Sequence, residues 1–425
     1  MDSVTEELAW RGMLHDATEG ASEHLAEAPR TVYIGFDPTA SSLHVGNLVP
    51  IMGLVHMQRA GHTPVALVGG GTGLIGDPSG RTAERQLLTK DDVAANGRAI
   101  HAQLEHFLDF DAPSNAARML DNLEWLADWT FLDFLRDVGK HFSMNQLLAK
   151  ESVKSRLGSD SGLSFTEFSY ALLQSYDFLE LYRRHGVTVQ AGGSDQWGNI
   201  TAGSDLIRRV DQGKAFGVVF PLVTNSQGTK FGKSQGENVW LDPERTSPYR
   251  FYQFWVNTDD ADVVAYLKMF TLLSREEIGA LEQAVATEPF KRAAQKALAE
   301  DVTRRVHGDE GLVRALQATE ALFGGDLAGL GADDLADVFA DVPSSEVSRD
   351  ALAGDGMALV DLLETTELAS SKGDARRAIE GGGMYVNNVR VEDVDHSVRT
   401  ADALEGRFVV LRKGKKRYHV VSVGA

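Results

Sequence analysis

The chain has no cysteine among its 425 residues, which excludes disulfides, thiolate nucleophiles and Cys-ligated zinc. Its 12 histidines are scattered, with no HExxH and no other close ligand spacing, so no structural metal is expected. No apolar run reaches bilayer length, and the opening MDSVTEELAWRGMLHD lacks the basic-then-apolar layout of a secretory leader. A cytoplasmic protein with no membrane partner is the expectation. Positive charge is also scarce: 42 Lys and Arg stand against 61 Asp and Glu, a net charge of −19. That balance argues against a nucleic-acid partner only where the positive residues are evenly spread. Here they are not, because Arg407, Arg412, Lys413, Lys415, Lys416 and Arg417 cluster with no acid after Glu405.

What remains is an ordinary globular composition, 43% hydrophobic, long enough for two to four domains. Its organising stretch is TVYIGFDPTASSLHVGNL, Thr31 to Leu48. It reads as a strand over 31–35, a turn broken by Asp37 and Pro38, and a helix starting around 43–45. His44, Gly46 and Asn47 then fall on a first helical turn, where unpaired N–H groups and the positive end of the helix dipole make an anion seat. Next, a short strand over 64–68 runs into GGGTGLIGDPSG, whose Gly71–Gly76 formally match GxGxxG. That fingerprint must open directly into a helix, whereas Asp77, Pro78, Ser79 and Gly80 keep the chain turning. A glycine-lined floor under a small ligand, with Asp77 placed for a cation or amine, is the better reading.

Residues 91–111 read as an amphipathic helix, 119–126 as a strand and turn, and 129–164 as helical and mixed in polarity. In FTEFSYALLQSYDFLEL, Tyr170, Gln174 and Asp177 are spaced four and three apart and share one helix face. Buried polar groups need partners, either one another or a polar ligand. A strand over 187–192 enters GGSDQWGNI, where Gly192 and Asp195 suit a ribose and Gln196 a carboxylate or phosphate. TNSQGTKFGKSQGENVWLD, 224–242, is a loop that is either simply solvated or, through Lys230 and Lys233, able to close over phosphates. Residues 247–323 read as mostly helical, with a capping box at Ser274 and Glu277 and a stop at Gly324-Gly325. Residues 326–356 read as a linker with short helices. From 357 onward the pattern is helix, turn, helix (372–380, capped by Ser371), then strands with turns at Asn387-Asn388 and Lys413-Gly414. Arg376 and Arg377 beside the basic hairpin tip make a phosphate-binding face.

Taken together, YIGFDPTASSLHVGNL, GLIGDPSG, YALLQSYDF, GGSDQWGNI and KFGKS resemble the bacterial-type tyrosyl-tRNA synthetases of class I. HVGN is similar to the HIGH signature and KFGKS to KMSKS. The resemblance implies an α/β fold, with a Rossmann-like parallel-sheet catalytic domain over 1–223 and an insertion at about 120–165 forming a homodimer interface. A KFGKS loop (224–245), an all-helical anticodon-side domain (246–325), a linker (326–356) and a small α+β RNA-binding domain (357–425) would follow. It implies ATP as a substrate accompanied by Mg2+, and tyrosine and tRNA(Tyr), not DNA, as partners. By it, His44, Asn47, Thr39, Lys230 and Lys233 surround the phosphates and nucleotide, with Gly35, Gly46, Gly192, Asp195 and Ser234. Tyr33 and Asp177 bracket the phenol, and Asp37, Asp77, Tyr170, Gln174 and Gln196 hold the rest of the tyrosine. Arg376, Arg377, Arg412, Lys413, Lys415, Lys416 and Arg417 would grip the RNA.

A phenolic O–H donates and accepts, so a carboxylate on one side and a hydroxyl on the other satisfy it, and phenylalanine would leave both stranded. Two positions depart from the family pattern. Asn47 stands where a second His is frequent and cannot titrate, and Ile34 stands where relatives often have Cys. A tryptophanyl enzyme shares the same plan, a nicotinamide dehydrogenase rests on Gly71–Gly76 alone, and a non-catalytic RNA-binding regulator rests on the C-terminal module alone.

Overall fold

The structure is a computed structural model that describes residues 3–79, 87–148, 150, 153–154, 162–226, 228, 231–234, 237–340, 342–415 and 417–424. Two compact units emerge, one of residues 1–242 with 256–306, the other of residues 243–255 with 307–425. These are not the boundaries expected from the sequence, since the helical stretch 246–325 is shared between the units. The helix Ala293–Ala321 is itself broken at Gly308, whose φ of 72° and ψ of 179° are not helical.

The first unit is built on a six-stranded sheet: β1 (Asp16–Ala17), β2 (Thr31–Phe36), β3 (Thr63–Val68), β4 (Arg118–Asp121), β5 (Val187–Gly193) and β6 (Phe216–Phe220), in the order β1-β6-β5-β2-β3-β4. All neighbours are parallel except β1, which runs antiparallel to β6. Strands β3 and β6, PVALV and FGVVF, are buried along nearly their whole length, as strands covered on both faces must be. From β2 the chain first adds β3 and β4 on one side, then β5 and β6 on the other. That reversal leaves a crevice between the carboxyl ends of β2 and β5, the usual seat of a ligand in such sheets.

After β2 a single 3-10 turn, Val45–Asn47, leads into the helix Leu48–Arg59. The glycine run after β3 forms another 3-10 turn, Thr72–Leu74, and the next helix among the described residues begins at Lys90, so the glycines do not open directly into a helix as the dinucleotide fingerprint requires. The helix Phe165–His185 is capped by Ser164, whose side chain accepts from Glu167 N, and stops at Gly186 with φ 64°. It packs on the helix Trp197–Asp211, where a Cβ at Gly203 would stand 2.9 Å from the Phe178 ring.

Within the same unit the short antiparallel pair β7 (Lys233–Ser234) and β8 (Glu237–Asn238) carries part of KFGKS. Lys230 lies outside the described residues. The capping box foreseen at Ser274 and Glu277 forms as written.

The second unit holds a five-stranded sheet of β9 (Ser344–Ser348), β11 (Met384–Val386), β12 (Val389–Val391), β14 (Phe408–Lys413) and β15 (Arg417–Gly424), ordered β12-β11-β14-β15-β9. A separate two-stranded pair joins β10 (Met357–Ala358) to β13 (Ser397–Val398). Residues 326–356 are therefore not a linker. They contain the helix Ala332–Val338 and the strand β9, which pairs in parallel with β15 from Ser344↔Val420 to Gly424↔Ser348. The polar alternation of SSEVS hid an edge strand whose partner lies some seventy residues ahead. The expected turns do form: Asn387 and Asn388 take φ of 49° and 63°, and Gly414 takes 67°.

Candidate active site

A cavity of about 690 Å³ opens at the crevice, lined from β2 and the turn after it, the 69–77 glycine loop, the helix Phe165–His185, the end of β5, and Asn238 with Trp240. It gathers Tyr33, Gly35, Asp37, Thr39, His44, Asn47, Asp77, Tyr170, Gln174, Asp177, Gly192 and Gln196 from four separate stretches of sequence.

At its floor Asp177 is 2% exposed and accepts from Trp125 Nε1 at 2.7 Å and Asn122 Nδ2 at 2.8 Å. Burial, above all, pushes its carboxyl up to about 7. Tyr33 is 1% exposed, and its Oη has no hydrogen-bond partner among the described residues. The same holds for Gln190 Oε1, which the sequence reading missed. Gln190 pairs with Tyr33 across β5 and β2, so the two side chains leave the sheet on one face. The register shift between Thr31 and Val32 skips one residue of β5, so that Gln190 rather than Val189 stands opposite Tyr33.

Above the floor, Tyr170 Oη donates to Asp37 Oδ2 at 2.8 Å, and Thr72 Oγ1 donates to Asp37 Oδ1 at 2.8 Å. This leaves the lone pairs of Tyr170 Oη to accept. Burial and the facing Asp37 raise the Tyr170 phenol well above its ordinary range, so it stays protonated. Asp77 accepts from Ser79 N at 2.9 Å and from Gln196 Nε2 at 2.7 Å.

The mouth is shaped by HVGN. His44 Nδ1 accepts from Gly46 N at 3.0 Å, and His44 N donates to Asn47 Oδ1 at 3.0 Å, a reciprocal cap. With Nδ1 accepting, a neutral His44 carries its proton on Nε2 and is a donor there. The His44 ring meets Trp240 edge to face at 5.9 Å between centroids, and the two residues form a β-bridge. The KFGKS segment comes back to the same place: Val239 N donates to Gly232 O, Val45 N donates to Val239 O, and a Cβ built on Gly232 would stand 3.4 Å from Gly46 N. The φ of 97° at Gly232 also suits glycine alone. Gly46 and Asp195 flank the cavity rather than line it, Asp195 Oδ2 lying 3.4 Å from Gln196 Nε2. The backbone of Lys233 and Ser234 lies in β7.

In the second unit Arg376, Arg377, Lys415 and Arg417 are exposed, while Lys416 lies outside the described residues. Lys413 Nζ bonds Asp374 at 3.0 Å and so ties the hairpin to the helix Lys372–Glu380. Arg412 departs from the expected RNA-facing set. It is buried, donates to Asn388 Oδ1 and Gly414 O, and lies over the Tyr385 ring at 3.7 Å. A guanidinium so committed fastens two turns together.

A parallel sheet with its ligand crevice at the switch point, an HVGN turn at the mouth and a KFGKS strand against it define a class I synthetase core. The family described as tRNA synthetases class I (W and Y) matches residues 25–324, and that described as the tyrosine-tRNA ligase SYY-like C-terminal domain matches 334–421. A tyrosine-tRNA ligase of Roseiflexus castenholzii is 57% identical, and one of Opitutus terrae 53%, each over 99% of this chain and at least 99% of its own. The crystal structure of a C-terminally truncated Aspergillus nidulans mitochondrial tyrosyl-tRNA synthetase superposes with a TM-score of 0.69 at 31% identity, covering 76% of this chain and 95% of its own. The chain belongs to the class I tRNA synthetases, and within them to the tyrosine-tRNA ligases.

Proposed function

We propose that the cavity is where this ligase forms tyrosyl-adenylate, and that the exposed basic face of the second unit holds the tRNA. The carrying observation is that one cavity joins a floor suited to a phenol to a mouth suited to phosphates. Tyrosine enters with its hydroxyl between Asp177 and Tyr33, and its ammonium faces Asp77, Tyr170 and Gln174. Its carboxylate, near Gln196, attacks the α-phosphate of ATP; the new C–O–P bond forms as the bond to pyrophosphate breaks. Mg2+ arrives with the nucleotide as part of the substrate and offsets phosphate charge. No protein nucleophile takes part. His44 and Asn47 at the helix mouth, with the KFGKS lysines, stabilise the charge that builds on the departing phosphates, and this raises rate because it acts in the transition state. Asp195 and the glycines of β5 support the ribose. The terminal ribose hydroxyl of tRNA(Tyr) then attacks the mixed anhydride and releases AMP. A chain that charges tRNA works where translation does, in the cytoplasm.

One experiment covers both halves of this reading. ATP–pyrophosphate exchange, run with each amino acid in turn, is expected to depend on tyrosine; dependence on tryptophan, or no exchange, would reject the assignment. Reversing Arg376→Glu together with Arg377→Glu should leave that exchange intact and lower kcat/KM for tRNA charging by roughly tenfold or more. Unaltered charging would remove this face from the RNA contact.

The ligase also works as a pair of identical chains in this reading. Phe131 is 67% exposed and Leu132 76%, and Leu123, Leu135, Met144, Leu148 and Phe165 are exposed as well. An apolar surface of this extent on one stretch of chain is matched by its own copy across a two-fold axis. Sedimentation should give twice the 46.2 kDa of one chain, and Phe131→Asp with Leu132→Asp should return the single mass. A wild-type chain that sediments as a monomer would end this proposal.

A further inference from the structure

The glutamines at the head of the cavity sit in a network that extends behind the cavity lining to Asn199 and Ser79. Gln174 Nε2 donates to Gln196 Oε1 at 3.3 Å, and Gln196 Nε2 donates to Asp77 Oδ2 at 2.7 Å. Asn199, on the first turn of the helix Trp197–Asp211, reaches both glutamines: its Nδ2 donates to Gln174 Oε1 at 3.0 Å and to Gln196 Oε1 at 3.3 Å, and lies 3.4 Å from Ser79 Oγ. Ser79 closes the ring by donating its backbone N–H to Asp77 Oδ1 at 2.9 Å. Asn199 is 4% exposed, a burial that a carboxamide tolerates only when its donors are used.

We propose that Asn199 is a positioning residue that fixes which end of the Gln174 and Gln196 carboxamides faces the tyrosine. The two ends of a carboxamide are nearly equal in shape, so their orientation is set by what each end meets. Turning Gln174 over would set its NH2 against the NH2 of Asn199, donor against donor. Turning Gln196 over would set its oxygen against Asp77 and Asp195 and its NH2 against the donors of Gln174 and Asn199. Held as they are, Gln174 Oε1 keeps one lone pair for an ammonium, and Gln196 keeps one N–H on Asp77 at 2.7 Å while the other, on the longer 3.4 Å contact to Asp195, can turn to a substrate carboxylate. Asn199 touches neither substrate, so its effect passes entirely through the two glutamines.

This inference rests on the proposed contacts of Gln174 and Gln196 with tyrosine, and the experiment separates the two. In pyrophosphate exchange, Asn199→Leu, which is close in volume but has no donor, should raise KM for tyrosine about tenfold while KM for ATP and kcat stay within about threefold. Asn199→Ser, which retains a hydroxyl donor, should recover part of that loss and also serves where the leucine variant does not fold. Adding Asn199→Leu to Gln174→Ala should cost less than it does in the wild-type chain, because one of the two acceptors that Asn199 serves is already gone.

A fully additive double variant, an equal rise in KM for ATP, or an unchanged KM for tyrosine would overturn the positioning role. If instead Gln174→Ala and Gln196→Ala both leave KM for tyrosine unchanged, the assignment of the glutamines fails, and the positioning role falls with it.

Discussion

Asp177→Ala should lower kcat/KM for tyrosine activation on the order of 10³-fold and leave KM for ATP within about twofold. Two losses add. The phenol gives up a charge-assisted hydrogen bond, and the N–H groups of Trp125 and Asn122, which converge on the carboxylate at 2.7 and 2.8 Å, are left facing a void. The nucleotide end of the cavity is untouched, because His44 and Asn47 are held by their own reciprocal cap. Asp177→Asn separates the two effects: it keeps the volume and one acceptor, and should fall between wild type and alanine. Exchange kinetics with tyrosine and ATP varied in turn read the result, and equal loss of affinity for both substrates would remove Asp177 from the phenol site.

The same carboxylate gives a pH dependence with a definite sign. Its folded value of about 7 lies above the ordinary 3.8, chiefly because burial disfavours the charge. Between those values the folded chain binds the proton more readily than the unfolded one, so this group's contribution to stability is present at low pH and is lost as pH rises through about 7. Substrate binding runs the other way. An ionised Asp177 accepts the phenol proton strongly, so KM for tyrosine should climb as pH falls below 7. Asp177→Asn should flatten that climb, and a profile that keeps its slope in this variant assigns the titration to another group.

Gly46→Ala should reduce kcat for exchange on the order of 10²-fold with KM for tyrosine nearly unchanged. A Cβ at position 46 would lie 2.8 Å from His44 Cε1 and 2.9 Å from Nδ1, closer than such atoms pack. The imidazole ring can swing away, so the fold tolerates the change, but the ring then leaves the place where its Nε2 donor faces the cavity. The new methyl group meets only this ring within 4 Å. The damage therefore falls on the phosphate end. A variant with wild-type kcat would show that the His44 orientation does not matter to the chemical step.

Much of this was legible in the sequence because its signals are local. A cap depends on residues three apart, as at Ser274 and Glu277; a helix face on residues three and four apart, as at Tyr170, Gln174 and Asp177; a hairpin turn on two adjacent residues, as at Asn387-Asn388. The long motifs HVGN, GLIGDPSG, GGSDQWGNI and KFGKS are likewise contiguous, and together they carried the family. What the sequence could not reveal depends on residues far apart in the chain. Trp125 and Asn122 reach Asp177 across 52 and 55 residues. Gln190 stands opposite Tyr33 because of a register shift in the pairing of β5 with β2, Arg412 turned inward onto Tyr385, and SSEVS became a strand only because β15 offered it an edge. Local hydrogen bonds are fixed by spacing along the backbone, and sequence alone determined those. Burial and partnership between distant side chains follow from how sheet and helices pack, and only the tertiary structure decided them.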